Sequence, residues 1–351
     1  MIQRKFRQPI SLLYTLVMLI TIAGCIAPSA DVSNPSTVTA DAGSLIVYSG
    51  RSETLVGPLI AQFGETTGIE VEVRYGSTAE IAATLLEEGA NSPADVFFAQ
   101  DPGGLGAVAN AGLLAPLPAQ SVAQVKPQFR SADGSWVGVS GRARVIVYNT
   151  ETLSEADLPV DMEGFTDAQW AGRIGWAPTN ASFQAMVTAM RLSWGEEKTR
   201  AWLAGIQANN PVVFEGNAPI VEAVGAGEIE VGFVNHYYLY RFLAEQGDGF
   251  KARNYFLPGV GPGSLVMVSG VGRLAAGANE ANALRFVDFL VSTEAQQYFT
   301  TETNEYPVID SVAGPAGLTP LEELNTIEIA LTDLADLQGT TQLLSEVGVL
   351  P

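Results

Sequence analysis

The sequence contains one histidine and one cysteine in 351 residues. A lone His236 argues against a zinc enzyme and against a Ser-His-Asp triad. A lone Cys25 rules out a disulfide within the chain. There is no GxxxxGK[ST], no GxGxxG after a strand, no GxSxG and no HExxH; the glycine-rich run Gly259 to Gly263 lacks the strand-then-helix setting of a phosphate loop. Basic residues are scarce, 18 Lys and Arg against 38 Asp and Glu, for a net charge of −20. Such a surface is soluble and repels nucleic acid and anionic lipid. It is compatible with a cationic ligand without indicating one. With so many carboxylates no acid pair stands out, and nothing in the chain reads as a catalyst: the expectation is that it is not an enzyme.

What is present begins with a leader. Arg4, Lys5 and Arg7 precede an apolar stretch, about Ser11 to Ala23, that ends in Ile22-Ala23-Gly24-Cys25. The layout is that of a signal peptide, and its core is shorter than the roughly 20 apolar residues of a membrane span. The setting of Cys25 resembles the lipobox of bacterial lipoproteins. That resemblance implies a lipidated Cys25 and a body held outside the cytoplasm, facing the periplasm or the cell exterior. An uncleaved anchor helix with an incidental cysteine is the other reading. Residues 1–25 are thus expected to be leader, and 26–43, rich in Ser, Thr, Pro and Ala, a tether. Loss of the three basic leader residues takes the charge to −23, 15 basic residues against 38 acidic.

From Leu45 onward strand and helix patterns alternate, which predicts an α/β fold with a mostly parallel sheet. Ser77-Thr78-Ala79-Glu80 reads as a capping box, while Gly57-Pro58 obscures a helix start. About 300 globular residues suggest two lobes. Trp136 to Asn149 and Leu265 to Gly270 are candidate crossing strands. Ligands in such sheets bind beyond the carboxyl ends of strands, so the loops after Val47, Phe98, Gly175 and Val234 are the first places to look.

The last of these loops contains Asn235-His236-Tyr237-Tyr238. With Asn235 as helix cap, both tyrosines fall in the first turn, about 100° apart, and both phenols can edge one cleft. Phenolate oxygen is a hard donor suited to Fe³⁺, whose charge would offset ionisation of a group with pKa about 10. A plainer reading packs one ring in the core and leaves one at the rim.

Six segments, Val47 to Arg51, Ser92 to Phe98, Ser140 to Val145, Arg173 to Gly175 with Pro178-Thr179, Asn235 to Tyr238 and Glu305 to Pro307, together resemble the ferric-iron-binding proteins of bacterial ABC importers, the bacterial transferrins. The resemblance implies a two-lobed periplasmic-binding-protein clamshell, type II-like, with two crossing hinge strands. Lobe one would be 44–141 plus 267–317, and lobe two 142–266 plus 318–351. It implies Tyr237 and Tyr238 as iron ligands. It also implies an accompanying anion (carbonate, phosphate or citrate) near Arg142, Asn180, Ala181, Ser182, Asn217 and Asn235. Arg142 has an independent basis, since a guanidinium binds an oxyanion bidentately, although an inter-lobe salt bridge is its other reading. Asn217, like Asn235, also reads as a helix cap. The implied partners are a permease and its ATPase, ferric iron, and a membrane reached only through the lipid, with the protein itself a monomer.

The chain departs from that pattern in lobe one. Where relatives place a histidine and a glutamate, it has Ser52 and Gln100, with Asp101 beside the latter as a further candidate donor. Relatives with a third tyrosine place it near Asn180 to Phe183, where this chain has none. Loss of those ligands keeps a second function open: the same fold binding a small oxyanion or organic anion, such as a phosphonate, sulfate or carboxylate, without iron.

Overall fold

The structure is a computed structural model, and it describes residues 42–350; the leader, Cys25 and most of the tether lie outside the described residues. The chain opens with β1 (Ser44–Ser49), α1 (Glu53–Thr67), β2 (Glu70–Tyr75), α2 (Thr78–Glu88), β3 (Val96–Ala99), α3 (Pro102–Asn110), β4 (Leu114–Ala115) and α4 (Ala119–Gln124). Helix α1 runs straight through Pro58. The lost backbone donor is offset by burial of Leu55, Val56, Leu59, Ile60 and Phe63, and Gly68 closes the helix at φ +73°, where glycine is favoured. The capping box of α2 is complete, with Ser77 Oγ accepting from Glu80 N and the Glu80 carboxylate accepting from Ser77 N.

Strand β5 (Val137–Asn149) is buried along all 13 residues. Beyond it come β6 (Ile174–Trp176), α5 (Ala181–Trp194), α6 (Glu196–Ala208), β7 (Val212–Val213), α7 (Asn217–Ala226), β8 (Val231–Asn235), α8 (Tyr238–Gln246) and β9 (Ala252–Tyr255). The chain then enters β10 (Val266–Leu274), α9 (Glu280–Leu290), α10 (Thr293–Thr301) and α11 (Leu337–Glu346).

The sheet is mixed rather than mostly parallel. Parallel pairs β1–β2, β1–β3, β6–β7 and β6–β8 flank a centre in which β10 and β5 run antiparallel to each other and to their outer neighbours β3 and β8. The first half of β5 pairs with β10 from Val137 to Ala143; the second half pairs with β8 on one side and with β9. One strand therefore serves two sheet halves, and the chain returns from the second half into β10. Each half has its own apolar packing. Phe63, Phe97, Phe98 and Phe286 lie in the core of the first, and Phe165, Trp176, Trp202 and Phe233 in that of the second. These two halves on crossing strands are the two-lobed fold that the sequence predicts. The C-terminal segment touches both, Leu331 and Leu334 in the first core and Leu343 and Leu344 in the second. No helix of the described residues is long and apolar enough to cross a membrane.

Candidate functional site

All four loops singled out in the sequence converge on one buried cluster. Arg51 follows β1, Asp101 follows β3, Asn180 to Ser182 follow β6, and Asn235 to Tyr238 run from the last residue of β8 into α8. The parallel strands β1 and β3, and likewise β6 and β8, point their carboxyl ends the same way, so their loops share a rim.

Tyr237 and Tyr238 stack, with ring centroids 4.3 Å apart and planes 28° from parallel. Tyr237 is buried, 1% exposed, and its hydroxyl has no hydrogen-bond partner among the described residues; Tyr238 is half-buried. Burial, then the neighbouring Tyr238, push the Tyr237 phenol well above its usual pKa, while Arg142 and Arg51 pull it back. Asn235 does not cap α8, contrary to the sequence expectation. It is the last residue of β8, a turn of His236 and Tyr237 intervenes, and Tyr238 opens the helix. Asn217 is likewise the first residue of α7 and not its cap, which is Gly216. Both asparagines have their side chains committed elsewhere.

That commitment is a polar network. Asn180 caps α5, its Oδ1 accepting from Ser182 N at 3.1 Å and from Asn217 Nδ2 at 3.1 Å. Asn217 Oδ1 accepts from Asn235 N at 2.9 Å, and Asn235 Nδ2 donates to Ser182 Oγ at 3.0 Å. Ala181 supplies the first residue of α5. Arg142 Nη1 lies 3.4 Å from Ser182 Oγ, Nη2 donates to Val268 O at 3.2 Å, and Nε is 4.0 Å from Glu305. The sequence-predicted residues Arg142, Asn180, Ala181, Ser182, Asn217 and Asn235 are therefore neighbours.

Four residues without a role in the sequence reading complete the cluster. Arg51 donates to Glu305 through both terminal nitrogens, at 2.9 and 2.6 Å, with both side chains fully buried. Burial raises the Glu305 pKa, but Arg51 and its hydrogen bonds win and hold it below the usual range. Arg144 is 2% exposed and has no carboxylate partner among the described residues. Its Nη1 donates to Asn217 Oδ1 at 3.2 Å and Asn235 Oδ1 at 3.0 Å, and among the described residues its Nε and Nη2 have no partner. Burial, then repulsion from Arg142, pull its pKa down to about 9. A signal existed: positions two apart on a strand face the same way, so Arg142 implicates Arg144. The fourth is His236, held neutral because burial pulls its pKa down to about 4.

Asp101 is fully buried and caps α3, its Oδ1 accepting from Gly104 N at 3.2 Å, with Oδ2 unpartnered among the described residues. Burial raises its pKa and Arg142 opposes the rise. Ser52 is exposed at the start of α1, and Gln100 is half-buried. Among the described residues no group of three or more His, Cys, Asp or Glu is placed to hold a metal ion.

The sequence model of the bacterial extracellular solute-binding proteins matches residues 58–325. This chain belongs to that family. The solute-binding protein is 34% identical over 314 residues to the "Fe(3+)-binding periplasmic protein" of Serratia marcescens, covering 89% of this chain and 92% of the relative. Iron-bound HitA of Pseudomonas aeruginosa superposes with a TM-score of 0.83 at 33% identity, covering 87% of this chain and 99% of HitA. A Trichodesmium protein in complex with iron and citrate gives 0.74 at 28% identity, covering 87% and 99%. Iron binding and periplasmic location are both part of the Serratia protein's name.

Proposed function

We propose that this protein is the extracytoplasmic binding component of a ferric-iron ABC importer, taking Fe³⁺ with a synergistic anion between its two lobes. Tyr237 and Tyr238 are the protein's iron ligands, and the names of its relatives support iron as the cargo. The observation that carries the reading is a charge mismatch. Three buried guanidiniums, Arg51, Arg142 and Arg144, face two buried carboxylates, Glu305 and Asp101, in a chain of net charge −20. Fe³⁺, two phenolates and a divalent anion together carry one negative charge, which balances that surplus. A buried charge without a partner is costly, so an inward-facing surplus of the sign opposite to the surface points to an occupant.

The anion belongs at Arg144, whose Nε and Nη2 are free, with Arg142 and the Asn180-to-Ser182 turn beside it. Arg142 alone is a poorer candidate because Ser182, Val268 and Glu305 already engage it. With Ser52 and Gln100 in the first lobe, the anion supplies coordination positions that side chains do not, and Asp101 Oδ2 is a further donor. Citrate in the Trichodesmium complex supports an organic acid beside carbonate and phosphate. Tyr237 is a neutral phenol before loading, so uptake releases protons and weakens as the pH falls.

The rest of the assignment follows the sequence. Lobe one is 44–141 plus 267–317, and lobe two is 142–266 plus 318–351, with Leu331 and Leu334 of that last segment packing back against lobe one. Cys25 carries a lipid that holds a monomer at the membrane, and the partners are the importer's permease and ATPase. The deciding experiment is equilibrium Fe³⁺ binding by the purified protein with and without carbonate, phosphate or citrate. Binding that requires one of these anions is expected. Anion uptake with no iron would replace this reading by the oxyanion carrier, which the free donors of Arg144 also favour.

A further inference from the structure

Strand β5 has two successive partners along one edge. At Gly141 it exchanges backbone hydrogen bonds with Tyr306, Gly141 N to Tyr306 O at 2.6 Å and Tyr306 N to Gly141 O at 2.9 Å. A side chain at 141 would meet Tyr306 Cβ at 3.1 Å, so glycine permits this approach. From Arg144 onward the partner is β8. Ala143 lies at the seam, and His236 fills it. His236 N donates to Ala143 O at 3.0 Å, and Ala143 N donates to the His236 ring at Nδ1, at 3.1 Å. An imidazole thus stands where a strand carbonyl would otherwise be.

An Nδ1 that accepts leaves the proton of the neutral ring on Nε2. That nitrogen lies 2.8 Å from Asn304 O, to which it donates. Asn304 is one of two non-glycine residues with positive φ among the described residues, at +55°, a conformation that side chains rarely adopt. The turn puts the Asn304 carbonyl on the imidazole and the next side chain, Glu305, on Arg51. The ring also packs against Tyr306, centroids 4.9 Å apart, and against Tyr237 at 5.8 Å.

We infer that His236 is a positioning residue, coupling the tyrosine turn to the Glu305 segment through its Nε2–H···O=C bond to Asn304. Movement of the tyrosine pair is transmitted to the Arg51–Glu305 arm through this bond. The consequence for iron retention rests on the proposed function; the coupling itself does not.

Two replacements separate the two ends of the ring. His236→Asn offers an oxygen near the Nδ1 position and no donor at Nε2, while His236→Gln offers a donor near Nε2. Amide exchange at Glu305 and Tyr306, measured without iron, is expected to rise about tenfold in His236→Asn, as one lost hydrogen bond implies, and to stay at the wild-type rate in His236→Gln. Iron release to a chelator is expected to follow the same order. Equal exchange in wild type and His236→Asn overturns the inference, and so does a His236→Gln variant as impaired as His236→Asn. Should His236→Asn fail to fold, Asn304→Ala disturbs the same bond through the backbone and Asn304→Gly retains it, and the same two results decide. A wild type that binds no iron would remove the proposed function, while the exchange rates would still judge the coupling.

Discussion

Replacing Arg144 by methionine should make the iron-free protein more stable and iron retention worse. Burial holds the Arg144 pKa near 9, well below the usual guanidinium range. At about 1.36 kcal/mol per pH unit that is roughly 5 kcal/mol against the cation, and since arginine stays protonated in proteins the cost is borne as lost stability. Methionine has similar length and no charge. It removes the hydrogen bonds to Asn217 and Asn235, worth about 1–3 kcal/mol where an acceptor is left unsatisfied, although Asn217 Oδ1 keeps the Asn235 backbone donor. A net gain of about 3 kcal/mol is expected, within the range of about 1–4 kcal/mol for apolar replacement of buried ionic groups. The loaded protein should respond in the opposite sense. Loss of a buried guanidinium opposite an anion costs about 2–5 kcal/mol, or about 30-fold to a few thousand-fold in affinity. Chemical denaturation of the iron-free protein reads the first effect, and chelator competition in carbonate buffer reads the second. A variant less stable than wild type that keeps its iron equally well would refute both halves of the reasoning.

Other perturbations test neighbouring parts of the cluster. Glu305→Gln strands the buried Arg51 and also weakens acceptance from Ser140 and Thr303, so the denaturant midpoint should fall by the equivalent of about 3–5 kcal/mol with the slope unchanged. His236 contributes a pH dependence: the unfolded chain takes up a proton near 6.5 that the folded protein refuses until about 4, so stability should drop by roughly 3 kcal/mol as pH falls through that window, a component that denaturation of His236→Gln across pH should lack. Hinge closure should lower the radius of gyration in small-angle scattering on iron loading; an unchanged radius at saturation would count against two moving lobes.

The length of globular chain and the two candidate crossing strands made the two halves legible, and the rule placing ligands beyond strand carboxyl ends selected the four loops that meet at the cluster. The resemblance named the tyrosine pair and the asparagines, and of these Asn180, Asn235 and the two tyrosines also lie at the junctions from β6 to α5 and from β8 to α8. What escaped the sequence depends on distance along the chain. Arg51 and Glu305 are 254 residues apart, and no local pattern announces that they pair. Asn235 reads as a cap because asparagine before an apolar stretch usually is one; its side chain instead serves the Arg144 network, and a two-residue turn separates strand from helix. Helix α10 was hidden because its TEAQQYFTT sequence is largely polar, with only Ala295, Gln296, Phe299 and Thr300 buried. The mixed sheet was hidden because a crossing strand and a parallel strand present the same apolar pattern when both faces are covered.

The most direct test of the account is the visible spectrum of the iron-loaded protein. Two phenolates on Fe³⁺ produce a phenolate-to-iron charge-transfer band, and titration with Fe³⁺ in the presence of carbonate should develop that band to a stoichiometry of one. Tyr237→Phe and Tyr238→Phe should each shift or abolish it. A colourless protein at demonstrated iron saturation, or a band indifferent to both substitutions, would contradict the assignment of the tyrosine pair.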